Sequence, residues 1–257
     1  SLASVSFSEG LTSIGGSAFH GATSLASLSF PESLNSIGYQ AFGGATSLAS
    51  VSFSEGLTSI GGSAFHGATS LASLSFPKSL ISIGWEAFYN ATSLASVSFS
   101  EGLTFISDYA FYNATSLESV SFPKSLISIG WEAFYNATSL ASVSFQEGLT
   151  SIGKRAFHNT LLTEADVALP ASLGEEKRHW SYYNCIGYTD LVFPEGLVTI
   201  NDRAFMNCDS LLSVTLPSSL TSIGSWAFES ATSLASVSFP TKLTSIGNSA
   251  FKRATTL

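Results

Sequence analysis

LASVSFSEGLTSIGGSAFHGATS, residues 48–70, stands a second time, unchanged, at 2–24. Near-copies of this 23-residue stretch fill most of the 257-residue chain. A fixed period in the twenties marks a solenoid: one unit is too small to bury its own apolar face, and stacking equivalent units builds a continuous core. Two markers hold the register. One is Leu2, Leu25, Leu48, Leu71, Leu94, Leu117 and Leu140, resumed by Tyr188, Leu211, Leu234 and Leu257. The other is Phe19, Phe42, Phe65, Phe88, Phe111, Phe134 and Phe157, resumed by Tyr182, Phe205, Phe228 and Phe251. The step from Phe157 to Tyr182 is 25, so that turn carries two extra residues.

Within the turn 2–24, Val5 and Phe7 alternate with Ser4 and Ser6. This period of two predicts a short strand with one buried face. Every proline follows the second apolar residue of that strand: Pro31, Pro77, Pro123, Pro170, Pro194, Pro217 and Pro240. Lacking an N–H, proline stops a ladder there. Leu11 and Ile14 turn inward next. The glycine after the isoleucine (Gly15, Gly38, Gly61, Gly84, Gly130, Gly153, Gly224, Gly247) suggests a positive φ and a tight turn. The Ala-Phe pair then sits on a short irregular or single-turn helical return. The expected fold is a leucine-rich-repeat solenoid of about eleven turns over 1–257, with one parallel strand per turn and an irregular turn near 159–188. A two-helix repeat needs more than about 30 residues. The turns at 71–93 and 117–139 differ only at Ala72/Glu118 and Leu74/Val120, so the array also has a 46-residue rhythm. Both ends fall inside a repeat without the polar caps that solenoids use, and a piece of a longer protein is expected.

The segment LLSVTLPSSLTSIGSWAFESATSL, 211–234, and AFMNCDSL, 204–211, resemble the BspA-like, Treponema-type leucine-rich repeats. That family shows a strand ending in Leu-Pro, then Leu-x-x-Ile-Gly, then Ala-Phe-x-x-Cys-x-x-Leu. The resemblance covers nearly the whole chain. Two departures stand out: alanine replaces the cysteine except at Cys185 and Cys208, and phenylalanine mostly replaces the strand's second aliphatic residue. The resemblance implies a bacterial or protist surface protein with adhesive, cell-surface or matrix partners. It carries over no ligand residue, because the family has no shared ligand motif.

Composition narrows the function classes. Charged residues make up 11% and the net charge is −8, against roughly a quarter charged in ordinary domains. Nucleic acid and anionic membranes call for clustered Lys and Arg, which are absent. No apolar run approaches the ~18 residues of a membrane span.

Few residues suggest chemistry. His20, His66 and His158 share one column, the first two being two turns, about 10 Å, apart; no metal set is expected. Cys185 and Cys208 lie one period apart. Buried free thiols are expected over a bridge, because in-register neighbours seldom meet disulfide geometry. Asn90, Asn113 and Asn136 each open an Asn-Ala-Thr sequon. They are candidate glycosylation sites, or asparagines that entered a recurrent Ala-Thr-Ser context. Trp85 and Trp131, in the column of Gly16, Tyr39 and Gly62, form a candidate contact stripe or cover the return loop. Glu175, Glu176, Lys177, Arg178 and Trp180, in the disturbed turn with His179, form a second candidate contact or a solvated loop. No catalytic set, cofactor motif or phosphate loop can be extracted. The expected role is a non-catalytic extracellular or cell-surface adhesion module, presenting a flat Ser/Ala strand face (the rows of Ala3, Ser4 and Ser6) to protein or glycan. A structural spacer or filament subunit, with lateral or end-to-end self-association, is the alternative.

Overall fold

The computed structural model describes residues 2–153, 155–162, 190–193, 198–200 and 202–257, with backbone alone at 190–192. The chain forms two compact units, Ser1–Ser181 and Tyr182–Leu257. Continuity of one array through the disturbed turn concerns residues outside the described set.

Both units are parallel β-solenoids, and the described turns after the first contribute two short strands rather than the one expected. A three-residue strand, mostly Ser-Val-Ser or Ser-Leu-Ser, is followed by a two-residue strand, mostly Ser-Ile. In the first unit the Ser-Ile strands from Ser13–Ile14 to Ser151–Ile152 make a seven-stranded sheet in chain order. The three-residue strands pair as Ser27–Ser29 with Ser50–Ser52, and as a four-stranded sheet from Ser73–Ser75 to Ser142–Ser144. The second unit has three strands of each kind, Asp190–Val192 to Ser236–Ser238 and Thr199–Ile200 to Ser245–Ile246. Registers such as Val120↔Val143 and Ile129↔Ile152 place every residue beside its equivalent 23 positions on. Nine three-residue and ten two-residue strands are described, so the turn count is slightly below eleven. The second strand left no signal of its own, because a dipeptide with one buried residue has no measurable period. The return is a run of turns, with no helix among the described residues.

The core is a set of columns. Phe42, Phe65, Phe88, Phe111, Phe134, Phe157 and Phe228 have no exposed surface, and Leu25, Leu48, Leu71, Leu94, Leu117 and Leu140 are equally buried. Successive rings of the Phe19 column lie 5.2–5.4 Å apart, with planes within 10° up to Phe157. The strand-end column of Phe7, Phe30, Phe53, Phe76, Phe99, Phe122 and Phe145 stacks at 5.3–5.9 Å. It meets the first column edge-on, at 79° between Phe53 and Phe65 and 80° between Phe99 and Phe111. Two stacks joined edge-to-face satisfy the ring quadrupole in both directions. This accounts for phenylalanine where an aliphatic residue was the family expectation.

The glycine after isoleucine does not have a positive φ. A Cβ on Gly38, Gly61 or Gly84 would lie 2.7 Å from the backbone of the preceding turn. The constraint is close approach of stacked backbones. Positive φ instead appears two and six residues later, as at Glu86 (52°) and Asn90 (60°).

Candidate functional site

Those two left-handed positions shape the return edge. With Glu86 and Asn90 in that conformation, alternate N–H groups aim at the next turn. Glu86 N–H donates to Asp108 O (3.0 Å), Phe88 N–H to Ala110 O (2.8 Å) and Asn90 N–H to Tyr112 O (2.9 Å). The ladder recurs from Ser17, Phe19 and Gly21 onward, donating to Tyr39, Ala41 and Gly43 at 2.7–2.8 Å. It holds side chains of neighbouring turns at one spacing, so like residues stack.

Three rows result. In the first, Gly21, Gly44 and Gly67 (φ 74–76°) give way to Asn90, Asn113, Asn136 and Asn159 (φ 59–62°). Asparagine tolerates this conformation better than other residues with a Cβ. It adds an amide ladder: Asn113 Nδ2 donates to Asn90 Oδ1 (2.8 Å), Asn136 Nδ2 to Asn113 Oδ1 (2.5 Å), and Asn159 Nδ2 to Asn136 Oδ1. The asparagines of the three sequons therefore have a structural role, and the nitrogens of Asn113 and Asn136 are engaged in it.

The second row is a partly exposed aromatic stack: His66, Tyr89, Tyr112, Tyr135 and His158, with ring centres 4.7–4.9 Å apart. Tyr89 and Tyr112 are parallel within 1°, their interplanar angle being 0°. His66 and His158 are stacking members. His20 lies apart from them, its Cδ2 3.0 Å from where a Cβ on Gly43 would sit. Among the described residues no cluster of His, Cys, Asp or Glu could hold a metal ion. Burial, then Glu86 and Glu132, push the Tyr89 phenol above its ordinary value of 10.0. Tyr112 moves the same way through burial and its tyrosine neighbours, and Tyr109 through burial, Glu132 and Asp108. All three remain hydrogen-bond donors at neutral pH.

The third row contains both candidate tryptophans. Its members in successive turns are Gly16, Tyr39, Gly62, Trp85, Asp108 and Trp131. An aromatic occupies every second turn, and each is about half exposed: Tyr39 51%, Trp85 45%, Trp131 44%. Residues between them are small or acidic. A Cβ on Gly62 would lie 3.5 Å from Tyr39 Cδ2 and 3.7 Å from Trp85 Cε3, so the two rings flank it. Asp108 Oδ1 accepts the Trp131 N–H at 2.7 Å. A shallow depression lined by Trp85, Phe105, Asp108 and Ser128 opens beside Trp85. Tyr109 connects this row to the stack, its ring 5.9 Å from those of both Trp131 and Tyr112. Glu86 accepts from Ser63 Oγ (3.3 Å), and Glu132 pairs with Arg155 (3.5 Å). Sequence reasoning left Tyr39, Asp108 and exposed Phe105 out of the contact set. Laying the turns out by column shows the alternation.

The strand face has the expected texture: Ala26, Ser27 and Ser29, like Ala72, Ser73 and Ser75, are exposed around a buried Leu. Glu175, Glu176, Lys177, Arg178 and Trp180 lie outside the described residues. Cys208 departs from expectation. It is buried and disulfide-bonded, not a free thiol; the only other cysteine, Cys185, lies outside the described residues.

A model of the BspA-type leucine-rich-repeat region matches in six copies, over residues 1–113, 60–176 and 175–257. No curated protein matches significantly by sequence. Among solved structures, a leucine-rich-repeat protein of Bacteroides ovatus is similar, at 24% identity and TM-score 0.63, with 96% of this chain and 81% of that one covered. A leucine-rich cell-surface protein of Faecalibacterium prausnitzii is similar at 22% identity and TM-score 0.63, covering 96% and 69%. The pneumococcal vaccine antigen PcpA aligns at 24% identity and TM-score 0.66, covering 92% of this chain and 64% of the antigen. At these identities the likeness concerns the fold alone. With the family model spanning the array, the chain belongs to the BspA-type leucine-rich-repeat family.

Proposed function

We propose that this chain is a non-catalytic interaction module of a cell-surface or secreted protein, making broad, low-charge contacts with protein or glycan. The observation that carries this reading is the uniform strand face. Each described three-residue strand from Ser27–Ser29 to Ser142–Ser144 turns its two outer residues, all serines, away from the core. A neutral face rich in hydroxyls can exchange hydrogen bonds with a partner without the desolvation cost of charge. Family membership and the surface-protein relatives support the location. A spacer within a larger assembly is the second reading, favoured by the near-identity of turns such as 71–93 and 117–139.

Binding of the purified chain to immobilised matrix proteins and to a glycan array tests the proposal. Saturable binding that is lost when Ser73, Ser96 and Ser119 are replaced together by Lys supports it. Silence on both, with the circular dichroism of a folded solenoid and ordered polymers in electron micrographs, replaces it with the spacer.

A further inference from the structure

The geometry points to a site for an extended, neutral β-1,4-linked glycan along the row Tyr39, Trp85 and Trp131. This rests on the reading of the chain as an interaction module and names the ligand class for one edge of it.

Three observations converge. First, the aromatic residues recur at every second turn, so their spacing is two strand separations, about 10 Å. In a β-1,4-linked chain each sugar is rotated by roughly half a turn from the last, and the same ring face returns at every second unit. The glycan and the solenoid therefore share a two-unit repeat of similar length. Second, each ring is half exposed and its intervening neighbour is small or acidic. Gly62 adds no side chain between Tyr39 and Trp85, whose ring atoms come within 3.5 and 3.7 Å of where its Cβ would stand. Asp108 stands between the tryptophans in the row, with one oxygen held by the Trp131 backbone N–H and the other, without a hydrogen bond among the described residues, placed to accept a sugar hydroxyl. Apolar platforms alternating with acceptors match a pyranose chain, whose rings present C–H faces flanked by hydroxyls. Third, the site is rigid. Its backbone is held turn to turn by bonds such as Ser63 N–H to Trp85 O (2.6 Å) and Tyr109 N–H to Trp131 O (2.9 Å). The platforms are thus arranged before any ligand arrives, which lowers the ordering cost of binding.

Charge sets the selectivity. Glu86, Asp108 and Glu132 stand beside the row; Arg155 pairs with Glu132, while Glu86 accepts from Ser63 and Asp108 from the Trp131 backbone. A uronate-containing chain meets net repulsion there, and a neutral glucan or N-acetylglucosamine polymer does not. From Tyr39 to Trp131 is four turns, about 19 Å, so all three platforms need an oligosaccharide of about five units or more.

Isothermal titration of the full chain with cellohexaose and with chitohexaose tests the site, the two arms separating glucan from amino-sugar polymers. Maltohexaose and a polyproline peptide serve as comparisons. The expected result is binding of at least one β-1,4 hexasaccharide and none of maltohexaose. Trp85→Ala and Trp131→Ala should each weaken affinity about tenfold or more, as loss of one stacking platform does, with unchanged circular dichroism because both side chains are exposed. Binding that is indifferent to both substitutions, a preference for maltohexaose, or capture of polyproline instead of either glycan overturns the assignment. Silence toward all four probes while matrix-protein binding persists overturns this site and leaves the interaction module standing. Silence in every binding assay removes both.

Discussion

Phe111→Ala probes the spine most directly. The ring is fully buried, stacks on Phe88 at 5.3 Å and on Phe134 at 5.2 Å, and meets Phe99 edge-on at 5.8 Å. Truncating a buried Phe costs about 3–5 kcal/mol. Because the neighbouring turns are themselves held by the same column, little collapse can fill the void, and about 4–5 kcal/mol is expected. Phe99→Ala, at a half-buried member of the strand-end column, removes a ring with access to solvent and should cost about 2 kcal/mol. Phe111→Leu keeps most of the volume and loses the two face-to-face stacks, at about 1–3 kcal/mol together. It remains measurable if the alanine variant fails to fold. Urea unfolding followed by far-ultraviolet circular dichroism gives midpoint and slope. A turn in a solenoid is stabilised through its neighbours, so Phe111→Ala should also lower the slope or split the transition as the two flanking blocks uncouple. A Phe111→Ala cost within about 1 kcal/mol of zero, or a larger cost for Phe99→Ala, would refute the continuous-column account.

Four further outcomes follow from the ladders and contacts. Gly84→Ala puts a methyl 2.7 Å from the backbone of the preceding turn and should destabilise by about 1–3 kcal/mol in the same urea assay; a neutral result returns the glycine to a role in turn conformation. Gly67→Asn extends the amide ladder by giving Asn90 Nδ2 an acceptor at a position already left-handed (φ 74°), and should raise stability by about 1 kcal/mol. Asn113→Gly removes the ladder bonds and also the Cβ at φ 62°, whereas Asn113→Ala removes the same bonds and keeps a Cβ there without the local hydrogen bonding that lets asparagine tolerate it; alanine should be worse by about 1 kcal/mol in thermal melts. The phenols of Tyr89, Tyr109 and Tyr112 hold their protons more tightly in the fold than at the ordinary 10.0. The folded state therefore binds more protons above that value, so their contribution is constant at lower pH and stability falls as pH rises past it. The urea midpoint should drop as pH rises past about 10, and a rise would contradict the direction.

The 23-residue period, its Leu and Phe columns and the proline after each strand determined the solenoid before any coordinate was known, because a repeat this short can bury its apolar residues only against copies of itself. The apolar alternation around Val5 and Phe7 likewise located the three-residue strand. The Ser-Ile strand was not legible: a two-residue element exists only through its neighbours' hydrogen bonds. Nor was the reason for Gly38 or Asn113, since contact between turns and left-handed backbone leave the same letters in a sequence. The aromatic row was half visible. Trp85 and Trp131 were noticed as bulky intruders in a small-residue column, yet only the parallel register shows that Tyr39 continues them, that Asp108 lies between them, and that all three rings stand half in water. A one-dimensional repeat assigns each residue to a column, and the backbone geometry of the return decides which columns face outward and which touch.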